Sequence, residues 1–288
     1  MDRVFKTIQL DGVDCQTVIK MECFENGAEV VSKCMDRPKG SRFSQNHFSP
    51  SYSYDKNFQG VRNIGEAKKM LNEGWSEKVD IVKGMAREVQ KQVMAMKPAG
   101  LKSDVVGFVP IVPNAIMGLP NSMLNTNVQP KKNKVLNVIY GLSYSASVDK
   151  DDIIEYGMKV MERVVKLEAQ GYRVRLTCLQ DYADSKKEFH ILTVKCKSED
   201  QPLDPQRVMF PMFHPAMFRA IGFGWYETLP ESTYMDGYGR PLYYFMTEEQ
   251  VDDLMTQLFG RTAIFIDGTF IQKKGEEYID RKFGGLIQ

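Results

Sequence analysis

Three groups of polar residues stand where apolar runs of this chain end, and their oxygens are of the kind that hold a cation. Ser143, Ser145 and Ser147 alternate in one short turn, Asp181 and Asp184 follow a second apolar run, and Asp267 closes a third, Ile264-Phe265-Ile266. Carboxylate and hydroxyl oxygens are the ligands that hard ions such as Mg²⁺ select. Ser143, Ser145, Asp181 and Asp267 are therefore the candidate metal ligands, and Mg²⁺ is the one cofactor they suggest. Clustered acids on two metal ions would support phosphoryl chemistry, with Asp181, Asp184 and Asp267 as the working set. The serine turn could alternatively cradle a phosphate on a helix N-terminus, but Asp149, Asp151 and Asp152 crowd that terminus and repel an anion. No residue is assigned a catalytic or cofactor-binding role. His47, His190 and His214 are the three histidines, and no His/Cys/Asp set has metal-ligand spacing. Neither a nucleophile elbow nor a glycine-rich nucleotide loop occurs.

The elements that must position these groups start with a β–α–β unit from Lys134 to Cys178. Val135–Tyr140 is apolar enough for a strand buried on both faces. The spacing predicts a helix from about Asp151 to Gln170, with Gly171 as its left-handed cap, and then a strand over Tyr172–Cys178. Phe189–Cys196 reads as a third strand. Asp204-Pro205 opens a helix, a second start falls at His214-Pro215, and Phe223–Tyr226 is aromatic and strand-like. Thr247 with Gln250 forms a capping box for a helix ending near Gly260, and Thr262–Ile266 is the last strand. This alternation predicts an α/β fold: a mostly parallel sheet with helices on both faces, and ligands beyond the carboxyl ends of its strands.

The first 130 residues read as an N-terminal helical and irregular extension to a core domain at 131–288, unless the two form one continuous domain. Arg3–Leu10 alternates like an edge strand, and the stretch from Gln16 to Cys34 is read as partly helical. Arg37–Asn57 is an aromatic, polar arm whose His47, Phe48, Tyr52 and Tyr54 are the candidate interaction residues. Asn63 and Glu66 form a capping box for a helix that stops at Gly74, and Val82, Met85, Val89, Val93 and Met96 mark a second helix. Leu101–Gln129 is rich in proline yet apolar, which predicts an ordered, largely buried connection with one short strand, packed against the sheet.

A formal net charge of +1 over 288 residues, with 43% hydrophobic and 26% charged residues, describes a globular chain that no polyelectrolyte partner is required to balance. Nucleic acid is thus a partner only through a local patch. Phe218–Tyr226 with Tyr238, Tyr243 and Tyr244 could stack bases, but Glu227, Glu231 and Asp236 nearby favour packing over a stacking role. Five cysteines without a C-x-x-C pair suit reduced thiols in a cytoplasmic setting. The sequence has no leader-like apolar segment and no run of 18 or more apolar residues, so no membrane partner is expected. Seventeen methionines suit core filling, with a contact surface as the alternative.

Two resemblances add to this reading. Ser143-x-Ser145-x-Ser147 resembles a degenerate form of the D-x-S-x-S turn of von Willebrand factor A domains. Ile264–Gly268 and Glu168–Val174 resemble two further passages of that fold, so the likeness covers roughly residues 134–270. It implies a divalent cation on the serine turn, although the first, charged ligand of that turn is here Ser143. Separately, Phe58-Gln59-Gly60-Val61 with Glu66-Ala67 and Gly74-Trp75, then Asp104-Val105-Val106-Gly107 with Pro113 and Met117–Met123, then His214–Arg219 with Glu227, together resemble an uncharacterised domain family of bacteriophages and mobile elements. That likeness spans residues 58–227 and carries no assigned activity; it implies a phage origin and the bacterial host cytoplasm. The function expected is non-enzymatic, an assembly or accessory role through protein–protein contacts or self-association. A metal-dependent enzyme of nucleic-acid or nucleotide metabolism and a DNA-binding accessory protein are the alternatives.

Overall fold

Six strands form the sheet that the β–α–β unit begins. The computed structural model describes residues 4–10, 16–39, 46–77, 79–84, 87, 101–106, 109–126, 134–185, 187–233, 238, 240–284 and 286. The strands of the sheet are β1 (Val4–Gln9), β2 (Gln16–Phe24), β6 (Val135–Gly141), β7 (Arg173–Ser185), β8 (Glu188–Lys197) and β9 (Ala263–Asp267), in the order β1-β2-β8-β7-β6-β9. The short strands β3 (Leu101–Asp104), β4 (Val109–Pro110) and β5 (Met123–Thr126) make a separate antiparallel sheet, ordered β3-β5-β4.

The large sheet is mixed. β6 pairs in parallel with β7 and β9, and β2 with β8, but β1–β2 and β7–β8 are antiparallel. The α/β fold is as expected, and among the described residues the sheet is mixed, with three parallel and two antiparallel pairings. The cause is chain length: only residues 186 and 187 separate β7 from β8, whereas a parallel return needs a dozen residues or more. β1 and β2 belong to the same sheet as residues 135–267, so the N-terminal region shares its backbone ladder with the core.

Helices do cover both faces. Among the described residues the longer helices are α1 (Gly27–Cys34), α2 (Ile64–Glu73), α3 (Lys150–Ala169), α4 (Pro205–Phe213), α5 (Glu248–Phe259), α6 (Gly268–Lys274) and α7 (Glu276–Phe283). Along β7, Val174, Leu176 and Cys178 face a large core with α3, α4 and α7, while Leu179 and Ala183 face a smaller core with α5. The strand alternation sorts the residues of each element between these two layers. α3 buries Ile153, Val160, Met161 and Val164 at helical spacing and is capped by Asp149, whose side chain accepts the Asp151 amide at 2.8 Å. Thr247 and Gln250 complete the capping box of α5, and Asn63 caps α2.

Gln16–Cys34 is partly helical, as expected: a nine-residue strand, β2, precedes helix α1, with Asn26 as N-cap. Two local expectations are revised. Phe223–Glu227 is helical and not a strand, because it continues a π-helical segment, Met217–Gly222. That wide turn sets Gly222 so close to β7 that a Cβ there would lie 1.8 Å from Gln180 Oε1. Finally, Val105, Val106, Val112, Ile116 and Met117 of the stretch 101–126 are not buried against the sheet: Val106 is 73% and Ile116 80% exposed. Of the helix expected beyond Gly74, residues 79–84 are helical with Val82 buried, and Met85, Val89, Val93 and Met96 lie outside the described residues.

Candidate functional site

The serine turn, Asp181 and Asp267 do come together. Gly141 pairs with both Leu179 and Asp267, which brings the ends of β6 and β9 beside the middle of β7. Ser143 Oγ then donates to the carbonyl of Asp181 (3.1 Å) and accepts its amide (2.9 Å). Thr269 Oγ1 donates to the carbonyl of Ser143 (3.0 Å). β7 runs on past the edge because it turns back into β8, and so Asp181 stands within a strand and not after one.

A cleft of about 470 Å³ opens at this edge. Ser143, Ser145, Ala146 and Asp181 line it on the sheet side. Phe58, Tyr182, Phe218, Phe223, Tyr238 and Tyr243 supply ring walls, and Arg240 and Tyr244 also line it, with the exposed Arg240 guanidinium 4.3 Å from the Tyr244 ring. Phe223 stacks on Tyr238 at 4.0 Å between centroids. The π-helical segment carries Phe218 and leads directly into Phe223, and π-turns recur at functional sites because they offset the side chains that follow.

The acid in this cleft is unusual. Asp181 is 1% exposed. Its Oδ2 accepts the Leu242 amide at 2.5 Å, whereas its Oδ1 is buried without a hydrogen-bond partner. Burial, joined by the negative charge of Asp267, pushes its carboxyl up to about 7. Asp267 is also 1% exposed and is pushed up by burial to about 6, but its Oδ1 is engaged, capping α6 through the amides of Thr269 (2.7 Å) and Phe270 (3.4 Å). Behind the turn, the buried Arg219 donates to the carbonyls of Phe58, Ser145 and Val148 at 2.7–3.1 Å. This guanidinium ties the serine turn to the π-helical segment.

These donors do not suit a hard dication as they stand. Ser143 Oγ is committed to the Asp181 backbone, and Ser145 Oγ bonds Ser147 Oγ at 3.1 Å. Asp181 Oδ1 is buried without a partner, but with the serine hydroxyls engaged, water would have to supply most of the oxygens around Mg²⁺. The Asp184 side chain lies outside the described residues.

The arm residues expected to face a partner are occupied within the chain. His47, Phe48 and Tyr54 are 1–5% exposed. His47 Nδ1 lies 2.6 Å from Glu227 Oε1, its amide donates to Glu227 Oε2 (3.1 Å), and Tyr54 donates to the His47 carbonyl. Tyr52, half-buried, stands 4.7 Å from the His47 ring. His214 is buried against Trp75 and Phe210, accepts the Ala216 amide at 3.1 Å, and is pushed down by burial to about 3, so its imidazole is neutral.

A second polar cluster has no signal in the sequence. The parallel register of β2 and β8 sets Lys20 opposite His190, and Glu231 approaches from far along the chain. Lys20 Nζ donates to Glu188 Oε1 (2.8 Å) and Glu231 Oε1 (2.9 Å), and His190 Nε2 lies 3.0 Å from Glu188 Oε1. Glu188, His190 and Glu231 are close enough to share a metal ion, but the Lys20 ammonium already supplies the positive charge between the two acids.

The chain belongs to the DUF7192 family, a domain of unknown function, whose family model matches residues 14–281. No curated protein and no solved structure matches it.

Proposed function

We propose that this protein acts by recognition, holding a small ligand in the ring-walled cleft at the edge of its sheet. The observation that carries the reading is Asp181: a buried carboxyl lining an aromatic cleft, with one oxygen left without a partner. Buried polar groups are almost always satisfied, and the exceptions mark sites where something else binds. Apolar pockets with a few convergent polar groups are the usual form of a small-molecule site. Among the described lining residues, Ser143 Oγ is held by the Asp181 backbone and Ser145 Oγ by Ser147, which favours binding over turnover. The test is a fragment screen by saturation-transfer NMR. Ligands that bind the wild type should lose most of their signal in Phe223→Ala, which removes one wall; a screen that yields no ligand sensitive to this change refutes the reading.

A second reading keeps the protein–protein function, and the exposed apolar residues of 101–126 favour it. Val105, Val106, Val112, Ile116 and Met117 are each more than half exposed, and contiguous apolar surface on a monomer marks an interface. The simplest occupant is a second copy of the chain. Light scattering should then give a mass above the 32.9 kDa of one chain, reduced by Val106→Asp with Ile116→Asp; a concentration-independent monomer refutes it. The likeness of residues 58–227 to phage and mobile-element domains supports a phage origin and work in the bacterial host cytoplasm.

A further inference from the structure

We infer that the cleft selects a small organic cation, an alkyl- or arylalkyl-ammonium that keeps at least one N–H. This rests on the reading of the cleft as a ligand site and names the chemistry of its ligand. The argument begins with what the site lacks. Asp181 and Asp267, both 1% exposed, put two acids at one edge of the sheet, and among the described residues no lysine or arginine is ion-paired or hydrogen-bonded to either carboxylate. Lys282, which pulls weakly on Asp267, is held by Asp252 and Glu248. Arg219 spends its terminal nitrogens on three backbone carbonyls, and neither carboxylate is among its partners. Arg240 is exposed and lies over the Tyr244 ring. The missing component is a positive charge.

The ligand classes that remain can be compared by their fit to this deficit. An anion beside Asp181 would be repelled by that carboxylate, and the exposed Arg240 at the rim lies over the Tyr244 ring. A hard metal ion would have to carry most of its oxygen shell as water into a cleft walled by aromatic rings. A neutral heterocycle could give Asp181 Oδ1 a hydrogen bond but would leave the charge uncompensated. An ammonium with an N–H satisfies both requirements at once, donating to Oδ1 and pairing its charge. The walls point the same way: aromatic faces carry negative potential and attract cations, most strongly where water is excluded. Phe218, Phe223, Tyr238 and Tyr243 provide such faces around Asp181.

The experiment compares three probes by isothermal titration: phenethylammonium, benzyltrimethylammonium, which has the charge without an N–H, and phenethyl alcohol, which has neither. Phenethylammonium should bind at least ten-fold more tightly than the alcohol and more tightly than the quaternary cation. Asp181→Asn should erase the advantage over the alcohol, since an asparagine keeps the acceptor for the Leu242 amide while removing the charge. Phe223→Leu, which keeps the carboxyl and removes a ring, should weaken phenethylammonium several-fold, and it stands in if Asp181→Asn lacks a cooperative melting transition. Equal binding of ammonium and alcohol, or an ammonium affinity untouched by these variants, overturns the inference while leaving the cleft a ligand site. A quaternary cation that binds as well as phenethylammonium overturns the N–H requirement. Absence of binding by all three probes overturns the inference, and the fragment screen then decides separately whether the cleft binds anything.

Discussion

Replacing Asp181 by asparagine should stabilise this protein at pH 8 and destabilise it at pH 4. In the fold the carboxyl is pushed up to about 7 from an ordinary 3.8, roughly 3 pH units, and each unit is worth about 1.4 kcal/mol. An acid whose folded pKa is raised stabilises the fold fully only below its unfolded pKa. As pH rises from about 4 to 7 the unfolded chain ionises freely while the folded one resists, and up to about 4 kcal/mol is lost. Asparagine escapes that loss. It still accepts the Leu242 amide, but it places an NH₂ where Oδ1 now stands without a partner, at a cost of about 1–3 kcal/mol. The balance above pH 7 is roughly 2 kcal/mol in favour of the variant, which for a chain of this size raises Tm by about 3 °C. Below pH 4 the ionisation penalty is gone and only the amide cost remains, so the difference changes sign. Calorimetry of both proteins at pH 8, 6 and 4 reads it directly. A variant that melts at or below wild type at pH 8, or a Tm difference that stays constant with pH, would show that Asp181 is not a strained buried acid.

Glu22 is 3% exposed, accepts both Arg37 guanidinium nitrogens (3.0 and 2.7 Å) and receives the Trp225 Nε1–H at 2.5 Å. Glu22→Ala should cost on the order of 3 kcal/mol in urea unfolding, because it strands a partly buried cation and a buried indole donor. Gly157→Ala should also destabilise: a Cβ there would sit 2.1 Å from Phe213 Cδ1, and overpacking of about 1–3 kcal/mol outweighs the roughly 1 kcal/mol that alanine adds to a helix. Gly84→Ala, also helical but with open space around the added Cβ, is the control and should be neutral or stabilising. Lys20→Ala should convert Glu188, His190 and Glu231 into a zinc site. Millimolar Zn²⁺ should raise the Tm of the variant and not of the wild type; an equal response of both would mean that the lysine is not what fills the site.

Local features of this chain were legible without coordinates. Asn63, Asp204 and Thr247 cap the helices they were expected to open, and Gly171 takes the left-handed φ of +89° expected of a helix stop. Caps depend on a few consecutive residues, so their chemistry is written in the chain itself. The convergence of Ser143, Asp181 and Asp267 was likewise foreseeable from strands that end at one edge. The mixed pairing was less so, because an apolar run states that a strand is buried but not which way its neighbour points. The short link between β7 and β8 would have revealed the hairpin had both strands been read to their full lengths. Phe223–Tyr226 misled because aromatic residues favour strands, while the π-helical segment before it carries the backbone on as helix.

Composition, caps and apolar periods by themselves determined an α/β protein with its polar groups gathered at a sheet edge. Only the tertiary structure decided that Asp181 loses its water, that rings from residues 58, 182, 218, 223, 238 and 243 surround it, and that Lys20 sits between Glu188 and Glu231. Desolvation and long-range pairing are properties of neighbours in space, and no spacing along the chain encodes them.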